Sequence, residues 1–71
     1  MEELKKRLLT KYDGIIEELE EVDKLCKSTM AEATSKGNYT EADISLLYVF
    51  ARDNSRRLQF AKAERDLINK Y

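Results

Sequence analysis

Apolar residues recur along the first half of the chain at alternating intervals of four and three. The row runs through Leu8, Tyr12, Ile15, Leu19, Val22, Cys26, Thr29 and Ala33. This is the heptad spacing of a helix packed lengthwise on another helix. Leu9, Ile16 and Met30 lie beside the row and widen it, and Asp23 interrupts that second row. Glu2 and Glu3 stand where a helix N-terminus favours negative charge. Asp13-Gly14 is the one local objection. That dipeptide often marks a tight turn, and Gly inside a helix costs about 1 kcal/mol against Ala. The row nevertheless passes through it in register. One helix over about residues 2–35 is therefore expected, locally weak at Gly14. The alternative is a short helix ending near Tyr12.

A break follows, at about residues 36–40. Lys36 complements the negative end of a helix dipole, and Gly37 can take the left-handed conformation that closes a helix. Thr40 then reads as an N-cap, with Asp43 where a capping box wants an acidic or amide side chain and Tyr39 placed to staple onto Ile44. The stretch Lys36 to Ala42 resembles the helix-to-helix turn of a tetratricopeptide repeat. Its flanking helices are about twice as long as that repeat allows, and no second copy is present, so the resemblance is one of turn chemistry.

The second half carries its own heptad row: Ile44, Leu47, Ala51, Asn54, Leu58, Ala61, Arg65 and Ile68. A helix over about residues 41–70 is expected. Its first turns, Ile44 to Ala51, are apolar on more than one side. Beyond the row lies a second set, Leu46, Phe50, Phe60, Leu67 and Tyr71, with Asp53, Arg57 and Glu64 at the intervening positions. The first row can pack on the other helix; the second needs something else to cover it.

Two long helices joined by a tight connection make an antiparallel hairpin. The predicted fold is all-α: a coiled-coil-like two-helix hairpin forming a single domain over residues 1–71 and expected to dimerise into a four-helix bundle. With the connection centred on Asn38, opposed residue numbers sum to about 76. The acidic block Glu17, Glu18, Glu20, Glu21 and Asp23 then falls opposite Arg52, Arg56 and Arg57. Lys5, Lys6, Arg7 and Lys11 fall opposite Glu64 and Asp66.

Composition sharpens this reading. A chain of 71 residues has a marginal core, and small domains commonly add disulfides, a metal or a second subunit. With one cysteine and no histidine, an internal disulfide is excluded and a zinc site is not expected. Oligomerisation is the remaining remedy. Charged residues make up 38% of the chain at a net charge of −1, which describes a salt-bridge-laced surface rather than a polyanion binder. No apolar run approaches the ~20 residues that span a bilayer. The N-terminus lacks the apolar core of a signal peptide, so no membrane contact and a reducing, cytoplasmic location are expected.

Candidate chemistry is sparse. Cys26 lies in the apolar row with no neighbour to lower its pKa, which suits a small buried hydrophobe. The serines have no base to activate them. Glu17, Glu20 and Glu21 could share a helical face, but carboxylate metal sites in bundles also use histidine. No catalytic, metal or cofactor residue is assigned, and the chain is not expected to be an enzyme. Asn54 and Arg65 break the second row and are read as register control and as a charged side chain reaching solvent. Leu46, Phe50, Phe60, Leu67 and Tyr71 form the expected protein interface. The function implied is a small protein-interaction module, a regulator, adaptor or inhibitor of the kind phages and plasmids carry, acting as a homodimer or on another protein. The alternative is a small nucleic-acid-binding regulator using Arg52, Arg56, Arg57 and Lys62.

Overall fold

The computed structural model describes residues 2–71. It contains two helices, α1 (Glu2–Lys36) and α2 (Glu41–Lys70), packed on each other along their length. The Cα trace is a rod of 53 × 14 × 12 Å. Helix α1 ends at Lys36, within the expected bounds, and passes through Gly14 without interruption. A Cβ built on Gly14 meets nothing within 4 Å, so this glycine answers no packing demand.

The reversal is built from local chemistry. Gly37 has φ of 63°, a conformation that costs glycine no steric penalty. Its N–H donates to the Ala33 carbonyl at 3.1 Å and satisfies one of the free carbonyls at the end of α1. Thr40 then opens α2 with a complete capping box. The Asp43 N–H donates to the Thr40 hydroxyl oxygen at 3.2 Å, and the Thr40 N–H donates back to Asp43 Oδ2 at 3.1 Å. Two of the four orphan N–H groups at the helix start are thereby paired.

Three contacts fix the antiparallel register. The Tyr12 hydroxyl donates to Glu64 Oε2 at 2.6 Å. The Asn54 amide donates to the Leu19 carbonyl at 2.9 Å. Arg65 Nε donates to Asp13 Oδ1. Asn54 is only 7% exposed. A buried amide must keep its hydrogen bond or lose about 1–3 kcal/mol, so it penalises any shift of one helix along the other.

On α2, the covered positions are Ile44, Leu47, Ala51, Asn54, Leu58, Ala61, Arg65 and Ile68, flanked by Ser55 and Glu64. On α1 the contact differs from the expected row. Tyr12, Leu19, Cys26 and Ala33 lie inward as expected, and Ile15 and Ile16 are both half-buried, as are Thr29 and Met30. However, Leu9 and Asp23 are covered where Leu8 and Val22 are exposed. A helix offered two adjacent apolar rows can rotate by half a residue's angle at little cost, and α1 has turned toward the second row. Asp23 tolerates that place because its carboxylate pairs with Lys27, one turn along, at 3.0 Å.

The expected facing of charged blocks does not become contact. Among the described residues, no ion pair joins Glu17, Glu18, Glu20, Glu21 or Asp23 to Arg52, Arg56 or Arg57, and none joins Lys5, Lys6, Arg7 or Lys11 to Glu64 or Asp66. Matching levels along the rod is not enough. Glu17, Glu21 and Arg56 sit on the helix sides turned away from the partner helix. Asp13–Arg65 is the ion pair that crosses between helices, and the other three pairs lie within α1.

The interior is thin. Its buried residues are Cys26, Ala33, Ala61 and Asn54, and no large side chain is completely buried.

Candidate functional site

Helix periodicity puts Leu46, Phe50, Asp53, Arg57, Phe60, Glu64, Leu67 and Tyr71 on one flank of α2, beside the row that packs on α1. The five apolar residues expected to form an interface are all exposed there. Phe50 is 58% exposed, Phe60 67% and Tyr71 90%, with Leu46 and Leu67 also more than half exposed. They stay exposed because the thin hairpin has no third element to lay over them.

Helix α1 contributes to the same side. One groove between the helices is lined by Ile15, Glu18 and Val22 from α1 and by Phe50, Asp53 and Arg57 from α2. A second, at the open end, brings Leu4 and Leu8 together with Ile68 and Tyr71. The row Leu4, Leu8, Lys11, Ile15, Glu18, Val22 and Leu25 therefore lies along the same face as the Phe60 row. The exposed large apolar side chains fall mainly on this face, Val49 bordering it through the groove it shares with Val22 and Phe50, while Tyr39 and Tyr48 lie elsewhere. An apolar surface spread over the length of the rod exceeds the scattered exposed leucines normal for any protein.

Leu4, Leu8, Val22 and Leu25 are the part that sequence reasoning missed. Heptad spacing places Leu8 and Val22 in the hairpin contact, whereas both are exposed. The signal was there in the doubled apolar positions 8/9 and 15/16, since one helix–helix contact needs only one such row.

Charge on this face is mixed. Glu64 holds the Tyr12 hydroxyl, and that hydrogen bond, with lesser contributions from desolvation and the Glu64 charge, raises the Tyr12 pKa above the usual tyrosine value. On the opposite side Arg65 has its pKa raised by its hydrogen bond to Asp13 and by the Asp13 charge.

The basic residues of the alternative reading, Arg52, Arg56, Arg57 and Lys62, are all exposed. They are not gathered. Arg57 lies on the apolar face, Arg52 and Lys62 on the opposite face, and Arg56 on the outer side of α2. Cys26 is buried in the helix contact and is the chain's free thiol. Among the described residues no group of three or more metal-ligating side chains forms, and no helix is long and apolar enough to cross a membrane. No family model, curated protein or solved structure matches the chain.

Proposed function

We propose that this chain is a small non-enzymatic protein-interaction module, a regulator, adaptor or inhibitor, acting through the apolar face of α2 and the α1 row beside it. The observation that carries the reading is the exposure of Phe50 and Phe60 on one side of a hairpin that has no element of its own to cover them. Large aromatics held on a rigid helix are the residue type that anchors protein contacts. Completion of the hairpin to a four-helix bundle by a second helix pair is the simplest form of such a contact. Specificity comes from the charges set among the apolar groups, Glu18, Asp53 and Arg57, which penalise a partner with the wrong sign at those points.

The test is Phe60→Glu, read by light scattering for association and by circular dichroism for helicity. Phe60 lies outside the contact between α1 and α2, so helicity persists at high protein concentration. Association weakens by at least ~2 kcal/mol, the loss typical of a central aromatic anchor. A Phe60→Glu variant that associates and melts as the parent does would reduce Phe60 to an ordinary exposed aromatic and remove this reading.

A further inference from the structure

Resting on that reading of the apolar face, we infer that its occupant is a second copy of this chain, docked about a two-fold axis parallel to the rod, so that the two turns lie at the same end and α1 of each copy packs on α2 of the other.

A two-fold parallel to the rod permits no sliding. Each α1 residue must meet the α2 residue of the second copy that stands at its own level, and the hairpin's own register sets those levels. Tyr12–Glu64 and Asp13–Arg65 fix that register within one chain. Neighbouring helices run antiparallel both within and between copies, as in an up-down four-helix bundle. An isologous face must complement itself, and here it must do so at a register already set.

The two rows meet that demand. Leu4 falls against Tyr71, Leu8 against Leu67, Ile15 against Phe60 and Leu25 against Phe50, which makes apolar couples from one end of the face to the other. The charges that interrupt the rows fall at matching levels with opposite signs. Lys11 meets Glu64, and Glu18 meets Arg57. The grooves agree with these levels, since Leu4 and Leu8 share one with Tyr71, and Glu18 and Arg57 share another. Among the described residues neither charged couple forms an ion pair within one chain. Glu64 accepts the Tyr12 hydroxyl through Oε2, and a carboxylate has acceptor sites enough for a lysine as well.

Two places fit less well. Asp53 falls against Val22, although Arg57 stands one turn along the same helix. Near the turns Glu32 and Asp43 share a level, but each is engaged in its own chain, Glu32 by Lys36 Nζ at 3.1 Å and Asp43 by the Thr40 N–H at 3.1 Å. An axis across the rod fits worse. It reverses each row on itself and sets Asp53 on Glu64 and Arg57 on Phe60. Its centres, Ile15 on α1 and the gap between Arg57 and Phe60 on α2, are also offset by the hairpin register. Like charges face to face penalise that packing, so complementarity selects the parallel axis.

The experiment uses the full chain at micromolar concentration. Light scattering is expected to give a dimer. A monomer overturns this inference and leaves the apolar face to a different protein, whereas a dimer indifferent to Phe60→Glu removes the reading of the face itself. Glu18→Lys and Arg57→Glu, made singly, each set like charges together at two symmetric points and should raise the dimer dissociation constant at least ~tenfold. The decisive sample is an equimolar mixture of the two. Each chain then carries like charges at positions 18 and 57, so nothing is regained within a chain. A heterodimer about the parallel axis has opposite charges at both points and should form with nearly the parental affinity. A mixture that binds no better than the single variants overturns the arrangement, as do single variants without effect. Spin labels at Asn38→Cys in a Cys26→Ala background give a second readout. With helix axes 8–10 Å apart, turns at one end hold the labels within about 30 Å. Labels separated by about the 53 Å length of the rod would overturn the arrangement.

Discussion

The two broad faces of the hairpin flank the same helix contact, yet they differ in kind. One presents Leu4, Leu8, Val22, Phe50, Phe60 and Leu67, all exposed. The other presents Asp13, Glu20 and Lys27 from α1 and Arg52, Gln59, Lys62 and Asp66 from α2, also exposed. Tyr48, 63% exposed, is the large apolar side chain on that second face, where it lines a groove with Met30 and Thr34. The same backbone geometry produces both, so the difference is written by sequence alone: one residue to either side of the helix contact, apolar on one side and polar on the other. A helix that only had to hold its partner would need one apolar stripe. Here each helix carries a stripe and a half, and the surplus falls on the same side of both. Amphipathicity is therefore a property of the whole hairpin as well as of each helix.

The largest test asks what both faces depend on. Leu47 belongs to the contact between α1 and α2 and to neither face. A carboxylate there, as in Leu47→Asp, meets apolar neighbours and no cation. The expected cost is about 2–4 kcal/mol, in line with placing an unpaired charge in a core. The hairpin's interior is thin, so most helicity should go with it at 25 °C. Retention of full ellipticity and an unchanged melting curve would mean that the contact at Leu47 contributes little.

The faces themselves are compared by one chemical change made on each. Phe60→Glu on the apolar face should cost at least ~2 kcal/mol of association. Tyr48→Glu on the polar face also removes an exposed aromatic and adds a carboxylate, but should move stability and association by no more than ~0.5 kcal/mol, as surface substitutions usually do. Concentration-dependent melting of both variants reads the difference. Equal behaviour of the two would erase the distinction between the faces.

The parts of this fold that were legible in the sequence are those set by local chemistry. Gly37, Thr40 and Asp43 specify the reversal within a few residues, because a left-handed glycine and a capping box act over one turn. The α2 row was legible because a single set of positions, Ile44 to Ile68, satisfies heptad spacing while its neighbours include charges. The α1 row was not, because Leu8/Leu9 and Ile15/Ile16 each offer two candidates; which is turned inward depends on the shape of α2. The charged blocks misled for a related reason. Number along the chain gives the level on the rod, whereas contact also needs the angle around each helix. Leu46, Phe50, Phe60, Leu67 and Tyr71 could be placed beside the α2 row from spacing alone. That α1 extends their face needed the structure.

Gly14 offers a smaller and cleaner change. It sits inside α1, exposed, with nothing within 4 Å of where a Cβ would project. Gly14→Ala therefore adds no clash and removes backbone freedom from the unfolded chain. It should stabilise the hairpin by about 0.5–1 kcal/mol, read as a higher denaturant midpoint with an unchanged slope. Both faces should keep their properties, so association measured well below the melting temperature stays as in the parent. Destabilisation would show that α1 needs the weak point.

The smallest effect separates the faces by pH. Each side carries one side-chain link between the helices. Tyr12 donates to Glu64 beside the apolar face, and Arg65 pairs with Asp13 on the polar side. The Tyr12 pKa is raised in the folded chain, first by the hydrogen bond to Glu64, then by desolvation and by the Glu64 charge. A phenol with a raised folded pKa binds its proton more tightly when folded than when unfolded. Its stabilising contribution is thus fully present below the unfolded tyrosine value of about 10 and is lost as pH rises through the folded value. Above that point a phenolate faces the Glu64 carboxylate and the link becomes a repulsion. Arg65 has the same sign, its pKa being raised too by Asp13, but it starts from a higher ordinary value and remains charged over this range. Raising pH should therefore release the Tyr12 link while Asp13–Arg65 holds. Comparing parent with Tyr12→Phe isolates this, because Phe keeps the ring in the helix contact and removes only the hydroxyl. At pH 7 to 9 the parent should melt at the higher temperature, and the gap should close and then reverse above about pH 10. Parallel curves for the two proteins across that range would mean that the Tyr12–Glu64 hydrogen bond does not persist in solution.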